Sequence, residues 1–196
     1  MKVLLIPAFL FATLTLSAQK TELQFDIYFK GDKIGNLKAT EDKVSNQVVK
    51  EIKTQSDTRV FSFAVHVESE LHTVHENGNL IKGTAYRHAN RGSEDVHAHT
   101  EKGTNGQYQR ERNGKKSTLA QAITICVADL FFREPKGLTK VYSNMHADFV
   151  TVKPLGSGKY QVTSPDKKVA YYTYQNGKLA MMEVDTPVGK ATTKRV

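Results

Sequence analysis

The chain has 196 residues, of which 39% are hydrophobic and 24% charged, and its formal net charge is +8. This length and balance suit one globular domain with a hydrophobic core and exclude a mainly disordered chain. The excess of basic residues favours acidic partners such as lipid headgroups or anionic glycans. The alternative is that these charges are spread over solvated faces and only keep the protein soluble. Because the chain has no block of five or more Lys and Arg residues, no nucleic-acid role is predicted.

The first eighteen residues have the pattern of a secretory signal peptide. Lys2 precedes an apolar run from Val3 to Leu16, and the small residues Ser17-Ala18 follow. The run is shorter than the ~20 residues of a spanning helix, although a membrane anchor remains the alternative. No later stretch reaches that length, so we expect an exported, soluble protein, periplasmic or secreted, that begins at Gln19.

Residues 19–196 are predicted to form one β-rich domain. Segments such as "LQFDIYF" and "VFSFAVHVESELHTV" alternate apolar and polar residues, and the second places Phe61, Phe63 and Val65 on its inward face. Asn-Gly pairs, which suit tight hairpin turns, recur four times. We predict a single antiparallel sheet of about ten or eleven strands, curled into an open or closed barrel.

The stretch "TLAQAITICVADLFFREP" interrupts this pattern. Leu119, Ile123, Cys126 and Leu130 recur at helical spacing, Thr118 with Gln121 matches a capping box, and a proline follows. One amphipathic helix of about residues 118–133, packed against the sheet, is therefore predicted. Cys126 lies on its apolar face, so we expect a buried, unreactive thiol. A single cysteine also excludes an internal disulfide.

Histidines are the main candidates for metal ligands. His66 and His72 share one strand face, and His97 and His99 share another. If these two strands were neighbours, their imidazoles could converge on zinc or copper. A strand between residues 77 and 91 would separate them in a simple meander, and the alternative is an ordinary solvated polar face.

Other chemistry finds little support in the sequence. There is no Gly-x-Ser-x-Gly elbow, P-loop or dinucleotide fingerprint, so neither an enzyme nor a cofactor is predicted. Tyr172 and Tyr174 share a strand face and could stack on sugars or cover lipid chains. The alternative is that they pack as ordinary strand residues.

Three motifs resemble a known family. They are Phe25-Asp26-Ile27-Tyr28 with Ile34-Gly35, Phe132-Arg133-Glu134-Pro135, and the hairpin from Tyr172 to Gly177. The chain resembles the uncharacterised exported proteins of Bacteroidetes called domain of unknown function 6134, which are similar to domain of unknown function 3108. The resemblance implies a signal peptide and a β-rich fold, but no activity.

The sequence favours a non-enzymatic exported module that binds or carries an apolar or anionic ligand, lipid or glycan, in the concave side of the sheet. This hypothesis requires an apolar cavity of a few hundred Å³. A metal-binding protein or metal-dependent enzyme that uses the histidine-bearing strand faces is one alternative. A structural or assembly partner of another envelope protein is the other, and it requires an exposed apolar patch.

Overall fold

The structure, a computed structural model, describes residues 19–91, 94–186 and 188–196. The predicted signal peptide, residues 1–18, lies outside these ranges. Within them, no helix is long and apolar enough to cross a membrane.

The described residues form one antiparallel sheet of fourteen strands, so the mainly β fold is confirmed. The strands are β1 (Gln19–Phe29), β2 (Asp32–Val44), β3 (Gln47–Val60), β4 (Phe63–Glu76), β5 (Asn79–Ala89), β6 (Val96–Lys102), β7 (Tyr108–Arg112), β8 (Lys115–Leu119), β9 (Lys140–Ser143), β10 (Asp148–Gly156), β11 (Lys159–Thr163), β12 (Val169–Gln175), β13 (Lys178–Thr186) and β14 (Gly189–Arg195).

Strands that are consecutive in the chain are neighbours in the sheet, with one exception. The strands β8 and β9 are its two edges, while β1 pairs with β14. The described sheet is therefore open, and the closed barrel is wrong. The count of ten or eleven strands was too low, because strands such as β7 (YQRER) and β8 (KKSTL) carry almost no apolar alternation.

The helix predicted for residues 118–133 is also wrong. Thr118 belongs to β8, and only Val127–Phe131 is helical, as a single 3-10 element. The carbonyl of Ile123 accepts a hydrogen bond from the Leu80 N–H (2.8 Å), and the carbonyl of Ile125 accepts one from the Tyr142 N–H (2.9 Å). The β-branched residues around them favour this extended backbone, and these two carbonyls pair outside the segment instead of within an α-helix.

Residues 120–139, called here the bridging segment, connect the two edges of the sheet. Their apolar side chains fill the inner face, which is the face that carries the core. Leu130 and Phe131 are buried in the main core cluster, where the Phe131 ring meets the edge of the Phe25 ring at a centroid distance of 5.8 Å. Cys126 is fully buried, as expected.

Candidate functional site

The four candidate histidines lie on two strands that are not neighbours, His66 and His72 on β4 and His97 and His99 on β6. His72 of β4 and His99 of β6 are both in register with Thr84 of β5, so a whole strand separates them. At ~4.8 Å per strand, their backbones are about 10 Å apart. His66 Nδ1 lies 2.7 Å from the Asp57 carboxylate.

The two histidines of β6 also contact groups on their own or the neighbouring strand. His97 packs on the Tyr86 ring at 5.3 Å, and His99 Nε2 lies 3.2 Å from Glu101. Among the residues that the structure describes, the one group of three His, Cys, Asp or Glu side chains close enough to share a metal ion contains none of these four.

The two candidate tyrosines, Tyr172 and Tyr174, are buried in the core. The Tyr174 hydroxyl donates a hydrogen bond of 2.7 Å to the Leu130 carbonyl, and its ring meets the Tyr160 ring edge-on at 5.7 Å. Burial raises the pKa of both phenols. Tyr174 therefore holds the bridging segment from the inside of the sheet, and Tyr172 packs in the same core cluster.

The motif residues of the bridging segment have similar structural contacts. The Tyr160 hydroxyl donates to Glu134 (2.8 Å), and Pro135 is fully buried. At Gly35, an added Cβ would lie 2.1 Å from the Gln55 carbonyl oxygen, so the approach of β3 requires glycine. These motif residues thus serve the packing of the sheet and its bridging segment.

A buried polar cluster lies between the bridging segment and the inner face of the sheet; its members are Glu41, Lys50, His75, Cys126 and Asp129. Lys50 is only 4% exposed, yet its ammonium group lies 3.2 Å from the Glu41 carboxylate and 3.1 Å from that of Asp129. Asp129 also accepts the backbone N–H of Cys126 at 2.7 Å. The cluster therefore holds the 3-10 helix to the sheet by charge.

Asp129 and Glu41 have further cationic partners nearer the solvent. The Arg133 guanidinium donates to Asp129 at 2.9 Å, and Lys43 lies 2.8 Å from Glu41. Both of these cations are about half exposed. The two buried carboxylates are thus each shared between a buried lysine and a solvent-facing cation.

His75 and Cys126 form the neutral part of the cluster. His75 Nε2 lies 3.7 Å from Cys126 Sγ, whereas His75 Nδ1 is buried without a hydrogen-bond partner. Desolvation by burial lowers the pKa of His75 to about 4 and raises the pKa of the Cys126 thiol. At neutral pH the pair is therefore an uncharged imidazole beside a protonated thiol.

Sequence reasoning missed this cluster, although one signal was available. Glu41, Lys50 and His75 lie at positions in phase with the buried residues of their strands, for instance two residues from Ala39 and Ile52 for the first two. A charged residue at an inward position requires a partner, and such positions could have been searched for one.

The second unusual feature is a hairpin that extends past its neighbours. Residues 57–66, called here the projecting hairpin, join β3 to β4. The strand β2 pairs with β3 only as far as Ser56, and β5 pairs with β4 only from Val67. Residues 57–60 and 63–66, four of each arm, therefore lie beyond this strand pairing, a length of about 14 Å at ~3.4 Å per residue. At the base, the backbone of His66 still forms hydrogen bonds with Asn90.

The tip of the projecting hairpin is apolar and strained. Phe61 is 91% exposed and Phe63 is 55% exposed, so their predicted inward positions are wrong. Phe61 has φ = 56°, a region in which three other hairpin turns place an asparagine. A bulky residue is a steric outlier there. The tip thus combines backbone strain with an aromatic ring in water.

Cations lie beside these rings. The Arg91 guanidinium is 4.8 Å from the centroid of the Phe63 ring, and Arg59 is exposed on the hairpin itself. A shallow depression of about 310 Å³ follows the other face of the hairpin and is lined by Arg59, Ala64 and the His66–Asp57 pair, among others. The projecting hairpin therefore has one arginine over an apolar ring and a second arginine on its other face.

Comparison with known proteins gives a family and no activity. The model of one family, described as a domain of unknown function (DUF6134), matches residues 25–196. No curated protein and no solved structure matches the chain. The match spans the last five residues of β1 and all of the other thirteen strands, together with the bridging segment. The chain therefore belongs to the family called domain of unknown function DUF6134.

Proposed function

We propose that this domain is a non-enzymatic binding module that docks onto an anionic lipid surface through its projecting hairpin. The observation that carries the proposal is Phe61, an aromatic residue at positive φ that is almost fully exposed at the hairpin tip. Strained and exposed residues persist where they serve a function. Transfer of such an apolar tip from water into the apolar part of a membrane is favourable.

The apolar contribution can be estimated from exposure. Complete burial of a phenylalanine side chain is worth about 1.5–3 kcal/mol. Phe61 has nearly all of its surface available for this transfer and Phe63 about half. Since ~1.4 kcal/mol is a tenfold change in affinity, removal of the Phe61 ring is expected to weaken binding about tenfold or more.

The electrostatic contribution comes from Arg91, which lies over the Phe63 ring, and from Arg59, which is exposed on the same hairpin. A basic residue close to an anionic bilayer contributes about 1 kcal/mol, and the formal net charge of +8 adds a longer-range attraction. The acid nearest the tip, Asp57, is paired with His66. Binding should therefore weaken as salt concentration rises.

The inner face is a less suitable place for a carried lipid, because Leu130 and Phe131 of the bridging segment occupy it. A separate depression of about 420 Å³ is lined mainly by polar and charged side chains such as Lys38, Lys53 and Glu70. The projecting hairpin is therefore the part of the molecule best suited to contact lipid.

Vesicle flotation tests the proposal. Vesicles of phosphatidylcholine, with and without phosphatidylglycerol, are mixed with the wild-type chain, with Phe61→Asn and with Leu155→Asn. Leu155 is an exposed apolar residue of β10 and serves as the matched control. The asparagine at position 61 suits positive φ, so folding should be preserved.

We expect binding to vesicles that contain phosphatidylglycerol, about a tenfold loss in Phe61→Asn, and no change in Leu155→Asn. Because the apolar residues 1–18 could themselves bind lipid, the series is repeated with a chain that begins at Gln19. Equal binding by the wild type and Phe61→Asn in both series would refute the proposal, and so would the absence of binding by the wild type.

A further inference from the structure

We infer that His75, Cys126 and Asp129 form a binding site for one monovalent thiophilic metal ion, of the Cu⁺ class. The inference is independent of lipid docking, because the site is buried beneath the bridging segment. It rests on the geometry of the three side chains, on the charge balance of the cluster that surrounds them and on the number of ligands available.

The geometry already suits an ion between the thiol and the imidazole. The separation of Cys126 Sγ and His75 Nε2 is 3.7 Å, and the ligand atoms of all three residues lie within 4.8 Å of one another. Bonds of about 2.3 Å to sulfur and about 2.0 Å to nitrogen would then meet at about 118°. This is close to a trigonal angle.

Charge balance favours a monovalent ion. Lys50 and Arg133 neutralise Glu41 and Asp129, and Lys43 adds a solvent-screened cation at the rim. An ion M⁺ that binds the sulfur displaces the thiol proton, so that an S–M bond replaces the S–H bond and one proton is released. The charge of the cluster is then unchanged, whereas a divalent ion would add one uncompensated positive charge.

The number of ligands points in the same direction. Structural zinc sites have four protein ligands, and this group offers three, all buried. Asp129 already accepts hydrogen bonds from Lys50, Arg133 and the Cys126 N–H, so it is at most a secondary ligand. A thiolate with one imidazole is a soft ligand set, which suits Cu⁺.

A second observation is that His75 has no strong partner at Nε2, the nitrogen that faces Cys126. His75 is 4% exposed, its Nδ1 has no partner, and its Nε2 has only the weak contact with sulfur. A buried polar group without a good partner is destabilising. A metal bond at Nε2 would give this imidazole a strong interaction that nothing else in the cluster supplies.

Because Cys126 is fully buried, the ion would enter while the bridging segment is unpacked, as during folding. The test therefore refolds the full chain from denaturant under a non-thiol reductant and without oxygen, in the presence of Cu⁺, Ag⁺ or Zn²⁺. Bound metal is counted per chain after gel filtration. Cys126 is the single cysteine of the chain, so Cys126→Ala reports on all thiolate binding.

We expect one Cu⁺ or Ag⁺ per chain, release of one proton per ion, a thiolate-to-copper charge-transfer absorption and a higher melting temperature. Cys126→Ala should lose the ion, and His75→Gln should bind it at least tenfold more weakly. His66→Gln, a change of an exposed histidine, should bind like the wild type. Metal-free melts establish that each variant folds.

Three results would overturn the inference. These are no retained monovalent ion in the wild type, equal retention in His75→Gln, and preferential retention of Zn²⁺. The last would show that the charge balance of the cluster does not select the ion.

Discussion

Replacement of Lys50 by methionine tests whether the buried cluster holds the bridging segment to the sheet. Methionine keeps the length and the apolar stem of the side chain but removes its charge. Two buried carboxylates, those of Glu41 and Asp129, would then lose the ammonium group that lies 3.2 and 3.1 Å from them. The loss of one partner from a buried ion pair destabilises a protein by about 3–5 kcal/mol.

The structure places Lys50→Met near the lower end of this range. Asp129 keeps Arg133 at 2.9 Å and Glu41 keeps Lys43 at 2.8 Å, so neither carboxylate is left without a cation. We therefore expect a decrease of about 3 kcal/mol in the free energy of unfolding. Equilibrium unfolding in urea, followed by circular dichroism and by tyrosine fluorescence, measures this change.

A lysine three residues further along the same strand provides the matched control. Lys53 lies 2.9 Å from Glu51, but its side chain is 54% exposed. Lys53→Met should change the free energy of unfolding by no more than about 0.5 kcal/mol. If Lys50→Met and Lys53→Met were equally stable, the view of the cluster as a buried electrostatic link would be refuted.

Two further predictions concern the core and the projecting hairpin. Tyr174→Phe should lower the free energy of unfolding by about 1–3 kcal/mol, because the buried carbonyl of Leu130 loses its donor; urea unfolding measures this, and an unchanged midpoint would contradict it. Hydrogen bonding to the Asp57 carboxylate raises the pKa of His66, so its stabilising effect is present below the unfolded value of about 6.5 and is lost as pH rises through the folded pKa. An NMR titration should show the His66 pKa falling in Asp57→Asn, and an unshifted titration curve would disprove the pairing.

The strands with one apolar face could be predicted from sequence, and the element between β8 and β9 could not. Leu23, Phe25 and Ile27 alternate with polar residues and form a strand with those side chains buried. The segment around Ile123 and Ile125 has helical spacing, yet its carbonyls pair with residues of β5 and β9. That competition depends on partners more than fifteen residues away, which local periodicity does not record.

The buried cluster and the hairpin tip could not be fully predicted from sequence, and the physical reasons differ. Lys50 and His75 could be recognised as polar residues at inward positions, but their contacts with Asp129 and Cys126 depend on how the sheet packs on the bridging segment. At the hairpin tip, Phe61-Ser62 lacks the Asn-Gly signal, so the turn was read as a continuous strand. Its exposure follows from the shorter reach of the neighbouring strands.

The pairing of β1 with β14 also constrains the order of assembly. Phe25 of the first strand is in register with Arg195, the last residue of the final strand. A chain that emerges from its N-terminus can form the β1–β8 meander early, but one edge of β1 stays unpaired until β14 is complete. Contacts this distant in sequence close late and slow folding, and an unpaired edge invites association with other chains. Loss of the last seven residues would therefore expose two strand edges, those of β1 and β13, in the middle of the sheet.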